Sequence, residues 1–179
     1  MNQKQERRLQ YLCLIVLGFC IGFYAGKAYP SDENGEAFCL AQNLYFEAGN
    51  QPLAGKLAVA QVVQNRVDST MFPNDICGVI YEAKEYYISW YSGDTIPKKG
   101  MCQFSWYCDG KSDEPQDSKT WLASVQLANQ IIVGEKYDIT ISDFDITEGA
   151  LWYHADYIRP YWADHLNQTV VIDNHIFYK

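Results

Sequence analysis

A chain of 179 residues whose apolar N-terminus takes up about the first thirty leaves enough for one compact domain and too little for two well-buried ones. A formal net charge of −8 repels phosphate backbones and argues against nucleic acid as a partner. Aromatic residues make up 15% of the chain, with Tyr 14 and Trp 5, and their flat faces with polar tips suit a core and sugar rings equally.

In chain order, Lys4, Arg7 and Arg8 precede Tyr11 to Gly26, sixteen residues without a charge. This pattern predicts a basic cytoplasmic tail over 1–10 and a transmembrane signal anchor over 11–29, with Lys27 snorkelling to the interface. By the positive-inside rule everything after Pro30 then lies outside, which gives a single-pass protein of the inner (cytoplasmic) membrane facing the periplasm. Gly26-Lys27-Ala28 also has the small-x-small form of a signal-peptidase site, so the alternative is secretion after cleavage. Gly18, Gly22 and Gly26 share one helix face, the spacing that lets membrane helices approach and supports an anchor-mediated dimer. Residues 30–36 form a polar linker with a reach of about 25 Å, and 37–179 make up the exported domain. Cys13 and Cys20 fall in the anchor, whereas Cys39, Cys77, Cys102 and Cys108 are exported. An even exported set points to disulfides, with three pairings open. No CxxC and no metal-type histidine spacing occurs, so neither metal nor cofactor is expected.

Within the domain, Ala37, Leu40, Ala41, Leu44, Tyr45 and Ala48 fall on one arc at helical spacing, with Asn43 and Glu47 at its edge. A carboxyl half-sunk among apolar neighbours has its charged form disfavoured and its pKa raised, which suits a catalytic acid, although the spacing alone better fits a solvated Glu in the last turn of an amphipathic helix. A second helix is predicted over Gly55 to Val67. Val59, Ala60, Val62, Val63 and Val67 form its dry face and Gln61, Gln64, Asn65 and Asp68 its wet one. Arg66 projects from the dry arc, and either it is buried and meets acceptors from another segment or it snorkels outward as a charge that answers the helix dipole. Phe72-Pro73-Asn74 breaks the chain, Ile76 to Tyr81 is short and apolar, and Glu85 to Gly100 reads as a loop. Asp117 or Ser118 caps a third helix with the stripe Trp121, Val125, Ala128 and Ile132, ended by Gly134. Ala150 to His154 and Val170 to Ile172 read as extended, with Asp173-Asn174 turning the latter into His175 to Tyr178. The fold class is α+β, helices around a core with a small antiparallel sheet late in the chain.

Several segments together resemble the SleB/CwlJ cell-wall hydrolases. They are Cys39 to Ala48, Gly55 to Val67, Phe72-Pro73, Ile76 to Tyr81, Cys102-Gln103-Phe104-Ser105-Trp106, Cys108-Asp109-Gly110, Trp152-Tyr153-His154-Ala155, Pro160 with Trp162-Ala163, and His175 to Tyr178. The resemblance covers nearly all of the exported domain. It implies a lysozyme-like fold and a groove for peptidoglycan glycan strands. It also implies cleavage between N-acetylmuramic acid and N-acetylglucosamine, by lytic transglycosylation. The family's catalytic Glu, in its Tyr-Phe-Glu-Ala segment, maps onto Glu47. Among the other matched residues, Gln103 and Ser105 are candidates to hydrogen-bond the sugars and Tyr153 to position Glu47. Trp106 and Trp162 are candidates to stack on rings, and His154 is a candidate site residue.

The sequence departs from the family where Gly49-Asn50-Gln51-Pro52 replaces a common Arg-Gly-Glu-Pro, so Gln51 stands where a second carboxylate would be. Hydrolysis by a muramidase needs two carboxyl groups at a set separation, for which Asp109 and Asp156 remain. The stretch Lys84 to Met101 is also longer than usual in the family. Two other readings compete: a cysteine peptidase acting on stem peptides, with Cys102 or Cys39 as nucleophile and His154 or His175 as base, and a non-catalytic envelope-binding module.

Overall fold

A computed structural model describes residues 35–136 and 144–179. The basic tail, the anchor with its glycine face and two cysteines, and nearly all of the linker lie outside the described residues. Among the described residues, no helix is long and apolar enough to cross a membrane.

The helical part is α1 (Glu36–Ala48), α2 (Leu53–Val67), the short α3 (Ile76–Ile80) and α4 (Ser118–Lys136). The apolar arc of α1 became buried as its spacing dictates: Leu40, Ala41, Leu44 and Ala48 are sealed against Val59 and Val63 of α2, Val79 and Ile80 of α3, and Leu127, Ala128 and Ile131 of α4. Two local devices fix the frame. Asp75 accepts the Gly78 amide at 2.7 Å to start α3, and Asp117 accepts the Thr120 amide at 2.6 Å to start α4. The Tyr45 hydroxyl accepts the amides of Gln116 and Asp117, both at 2.9 Å, and so ties the start of α4 to the end of α1. The four described cysteines pair as Cys39–Cys77 and Cys102–Cys108. The first bridge links α1 to α3 across 38 residues, a closure worth about 4 kcal/mol on the chain-entropy account.

Two small sheets complete the α+β fold. β1 (Tyr86–Ile88) and β2 (Thr95–Pro97) form an antiparallel hairpin where the sequence reading expects a loop. Tyr, Tyr and Ile in sequence are strand formers, and Gly93 supplies the positive φ of the turn at 77°. β3 (Trp152–Ala155), β4 (Gln168–Ile172) and β5 (His175–Tyr178) form a second antiparallel sheet in the order β3-β5-β4. Asp173, at φ 51°, takes the left-handed conformation in the β4–β5 turn that Asp tolerates. This sheet lays Phe177 and Ala150 on Ala58 and Val62 of α2.

Two further expectations change. Gly134 does not end α4, which continues to Lys136. Nor is Gln61 on a wet face. It is buried, with its amide donating to the Phe144 carbonyl at 2.9 Å and accepting the Ile146 amide at 3.0 Å. Asn65 likewise donates to Asp145, Thr147 and the Ala150 carbonyl. Gln61 and Asn65 are thus covered by the 144–150 segment, whose backbone and side-chain groups satisfy their amides, while Asp68 stays exposed.

Candidate active site

Glu47 sits in the last turn of α1, where the helix runs against α2 and the β3 strand. At Gly49, just beyond it, a Cβ would collide with the Tyr45 carbonyl and lie 3.0 Å from Thr120 of α4, so a side chain there would push the end of α1 off α4. Tyr153, from β3, donates its hydroxyl to the Glu47 carboxyl at 3.0 Å. Arg66, from α2, is the other group acting on it, through its charge. Three elements therefore converge on one carboxyl group.

The electrostatics favour the protonated form. Crowding by protein atoms raises the Glu47 pKa above 4.5, and the Tyr153 hydrogen bond and the Arg66 charge offset this only in part. Neither of those neighbours is a carboxylate, and Asp109 and Asp156 are not among the groups acting on Glu47. Asp109 is instead held low by the Lys111 backbone and ammonium, with the two charges 3.1 Å apart. The Tyr153 hydroxyl is driven well above its ordinary value by burial and by Glu47, so it stays a proton donor.

Arg66 is 4% exposed, so of the two placements open to it on the dry arc the buried one holds. Its Nε donates to the Leu151 carbonyl at 2.8 Å, and its guanidinium lies 5.0 Å from the ring centres of both Phe72 and Phe104. Its charge is shared among Tyr153, Glu82 and Glu47. Glu82 was missed in the sequence. It follows an apolar run with no periodicity to mark it, and only the need of Arg66 for a carboxylate from elsewhere pointed to such a residue. One Glu82 oxygen is buried without a hydrogen-bond partner among the described residues.

The other sequence candidates separate by geometry. Gln103 is half-buried and its backbone N–H donates to the backbone carbonyl of Glu82 at 3.0 Å. Ser105 is exposed at the start of a 3-10 turn spanning Ser105–Cys108. Trp106 is packed as core: 7% exposed, its indole N–H donates to Asn43 at 3.0 Å and its ring stacks on Phe46. The two-residue period of β3 sends Tyr153 and His154 to opposite faces. His154 bonds to the Tyr178 hydroxyl at 3.0 Å and packs edge-on against Trp162, so both lie on the face turned away from Glu47. Among the described residues, no cluster of His, Cys, Asp and Glu is arranged to hold a metal ion.

The pattern of the family described as Cell Wall Hydrolase matches residues 50–178. The spore cortex-lytic enzyme of Bacillus subtilis (strain 168) is 45% identical over 49 residues, 27% of this chain and 16% of that protein. Its counterpart in Bacillus cereus (strain ATCC 14579) is 43% identical over 47 residues, 26% of this chain and 18% of that one. The matched stretch thus spans about a sixth of the length of these curated relatives. The fold is similar to the crystal structure of the catalytic domain of the Bacillus cereus SleB protein, with a TM-score of 0.51 and 25% identity over 87% of this chain and 99% of that one. It is also similar to the catalytic domain of the germination-specific lytic transglycosylase SleB from Bacillus anthracis, at a TM-score of 0.53 and 25% identity over 84% of this chain and 100% of that one.

Proposed function

The chain belongs to the cell wall hydrolase family, and we propose that it cleaves peptidoglycan glycan strands as a lytic transglycosylase, with Glu47 as the only acid and base. The observation that carries this reading is a carboxyl raised toward its protonated form by crowding and hydrogen-bonded by Tyr153, with Tyr153 and Arg66 rather than a carboxylate as the groups that act on it among the described residues. Protonated Glu47 donates its proton to the glycosidic oxygen as the bond to the muramyl anomeric carbon breaks. The resulting carboxylate then takes the proton of the muramyl 6-hydroxyl as that oxygen attacks the same carbon. This closes a 1,6-anhydro ring and restores the acid without consuming water. Gln103 and Ser105 bind the sugars in this scheme, while Trp106, His154 and Trp162 support the walls from behind. The domain works at the outer face of the cytoplasmic membrane, held by residues 11–29.

Digestion of purified sacculi tests the reading: muropeptides ending in 1,6-anhydromuramic acid are expected by mass spectrometry. New reducing ends would instead make the enzyme a hydrolytic muramidase, and intact strands a binding module. Free stem peptides would make it a peptidase, but the four described cysteines are tied in disulfides and leave no thiolate nucleophile.

Tyr153→Phe removes a hydrogen bond that lowers the Glu47 pKa. The protonated, active form of Glu47 should then persist to higher pH. The alkaline limb of the kcat/KM profile is expected to move up while the maximal rate falls by about tenfold to a hundredfold. A limb that moves down would contradict the role given to Tyr153.

A further inference from the structure

The largest apolar exposure among the described residues is on the hairpin of β1 and β2. Trp90 and Tyr91, at its tip, are each 90% exposed and meet edge-on with ring centres 5.2 Å apart. Tyr87 and Ile88 extend the apolar surface down β1. Such a projection does not contribute to the core, and large aromatics left in water mark a surface that meets something. Its outermost residues are therefore the ones to explain.

The root of the hairpin is built into the site. Ala83 bridges Cys102, the Lys84 amide donates to the Met101 carbonyl at 2.8 Å, and the Gln103 amide donates to the Glu82 carbonyl. The Ala83 amide donates to the Tyr86 hydroxyl at 3.1 Å, which pins the base of β1. Of the residues that close this root, Glu82 acts on the Arg66 charge, and Phe104, next to Gln103, lies with its ring 5.0 Å from the Arg66 guanidinium, which in turn acts on Glu47. From Glu82 to Trp90 the chain can span at most about 26 Å at the rise of a strand, a reach of several sugar rings.

We propose that the Trp90–Tyr91 hairpin is an additional glycan-binding arm, which stacks on sugar rings of the polymer several residues away from the bond cut at Glu47. This rests on the glycan-cleavage reading above and extends it to a subsite. One feature favours a polysaccharide over a lipid surface. Ser92 and Asp94 stand exposed among the aromatics, and a carboxylate at the tip opposes burial in hydrocarbon but suits sugar hydroxyls.

The test uses the full chain in detergent with the Glu47→Gln substitution, so that binding is read without cleavage. W90A/Y91A in that background should sediment with peptide-stripped glycan strands about tenfold more weakly, with an unchanged thermal midpoint, and W90F/Y91F should recover most of the binding. Equal binding by the alanine variant would overturn the arm, as would a loss seen only with strands that retain their peptides. In phosphatidylglycerol and phosphatidylethanolamine vesicles with brominated acyl chains, quenching that disappears on Trp90→Phe would place the tip in lipid and also overturn it. Absence of glycan products from the unsubstituted enzyme would instead strike the cleavage reading, which this binding assay does not measure.

Discussion

Glu47→Gln is expected to yield a folded protein whose release of glycan products falls by about a thousandfold or more, because the side chain that gives and retakes the proton loses both capacities. The amide keeps the shape of the acid and can still accept the Tyr153 hydroxyl, so positioning survives while proton transfer does not. The same substitution carries a stability signature with a defined sign. Burial raises the Glu47 pKa above 4.5, so the folded state keeps this proton over an interval of pH in which the unfolded chain has already lost it. Wild-type stability therefore declines as pH climbs from about 4.5 through the folded-state value, whereas glutamine has nothing to ionise. Thermal midpoints of the two proteins should coincide near pH 4 and separate at neutral pH, with the variant the more stable. Retention of cleavage within tenfold of wild type would remove Glu47 from the mechanism.

The helical scaffold was legible because its information is periodic. The arc from Ala37 to Ala48 and the cap at Asp117 act within a turn or two of chain, and the structure follows them. Periodicity put Glu47 at the edge of a buried arc but fits a solvated acid equally well, and its candidacy as the acid came from the resemblance of the Tyr45-Phe46-Glu47-Ala48 segment to the family. The position of Arg66 allowed its burial but did not give its partners, since Leu151, Phe72, Phe104 and Glu82 come from four separate places in the chain. Gln61 was misjudged because an amide on a polar face looks solvated until a loop more than 80 residues away covers it. His154 and Trp162 stood in well-matched segments, yet only the pairing of β3 with β5 reveals which face each occupies. The hairpin was read as a loop because Gly93, Asp94 and Pro97 signal turns, whereas Pro97 ends an edge strand, a place where proline is tolerated.

Arg66 is the second residue whose loss should be severe, and its effects divide between stability and titration. Arg66→Ala leaves the Leu151 carbonyl without its donor, opens a hole between Phe72 and Phe104, and strips Glu47 and Glu82 of their shared positive neighbour. Breaking a buried charge cluster from one side costs about 3–5 kcal/mol, a fall of roughly 10 °C in the thermal midpoint for a domain of this size. Arg66→Met separates the contributions, because it restores apolar volume between the rings without the charge or the donor. It should recover part of the lost stability. It should also move the alkaline limb of cleavage to higher pH, since the Arg66 charge lowers the Glu47 pKa and its removal leaves only the Tyr153 hydrogen bond to oppose burial. Arg66→Lys keeps a charge yet cannot place a planar guanidinium between two rings, so it should hold the limb nearer to wild type while still losing stability. A shift of the limb to lower pH in Arg66→Met, or an alanine variant within about 1 kcal/mol of wild type, would mean that the guanidinium neither holds these elements together nor biases the acid.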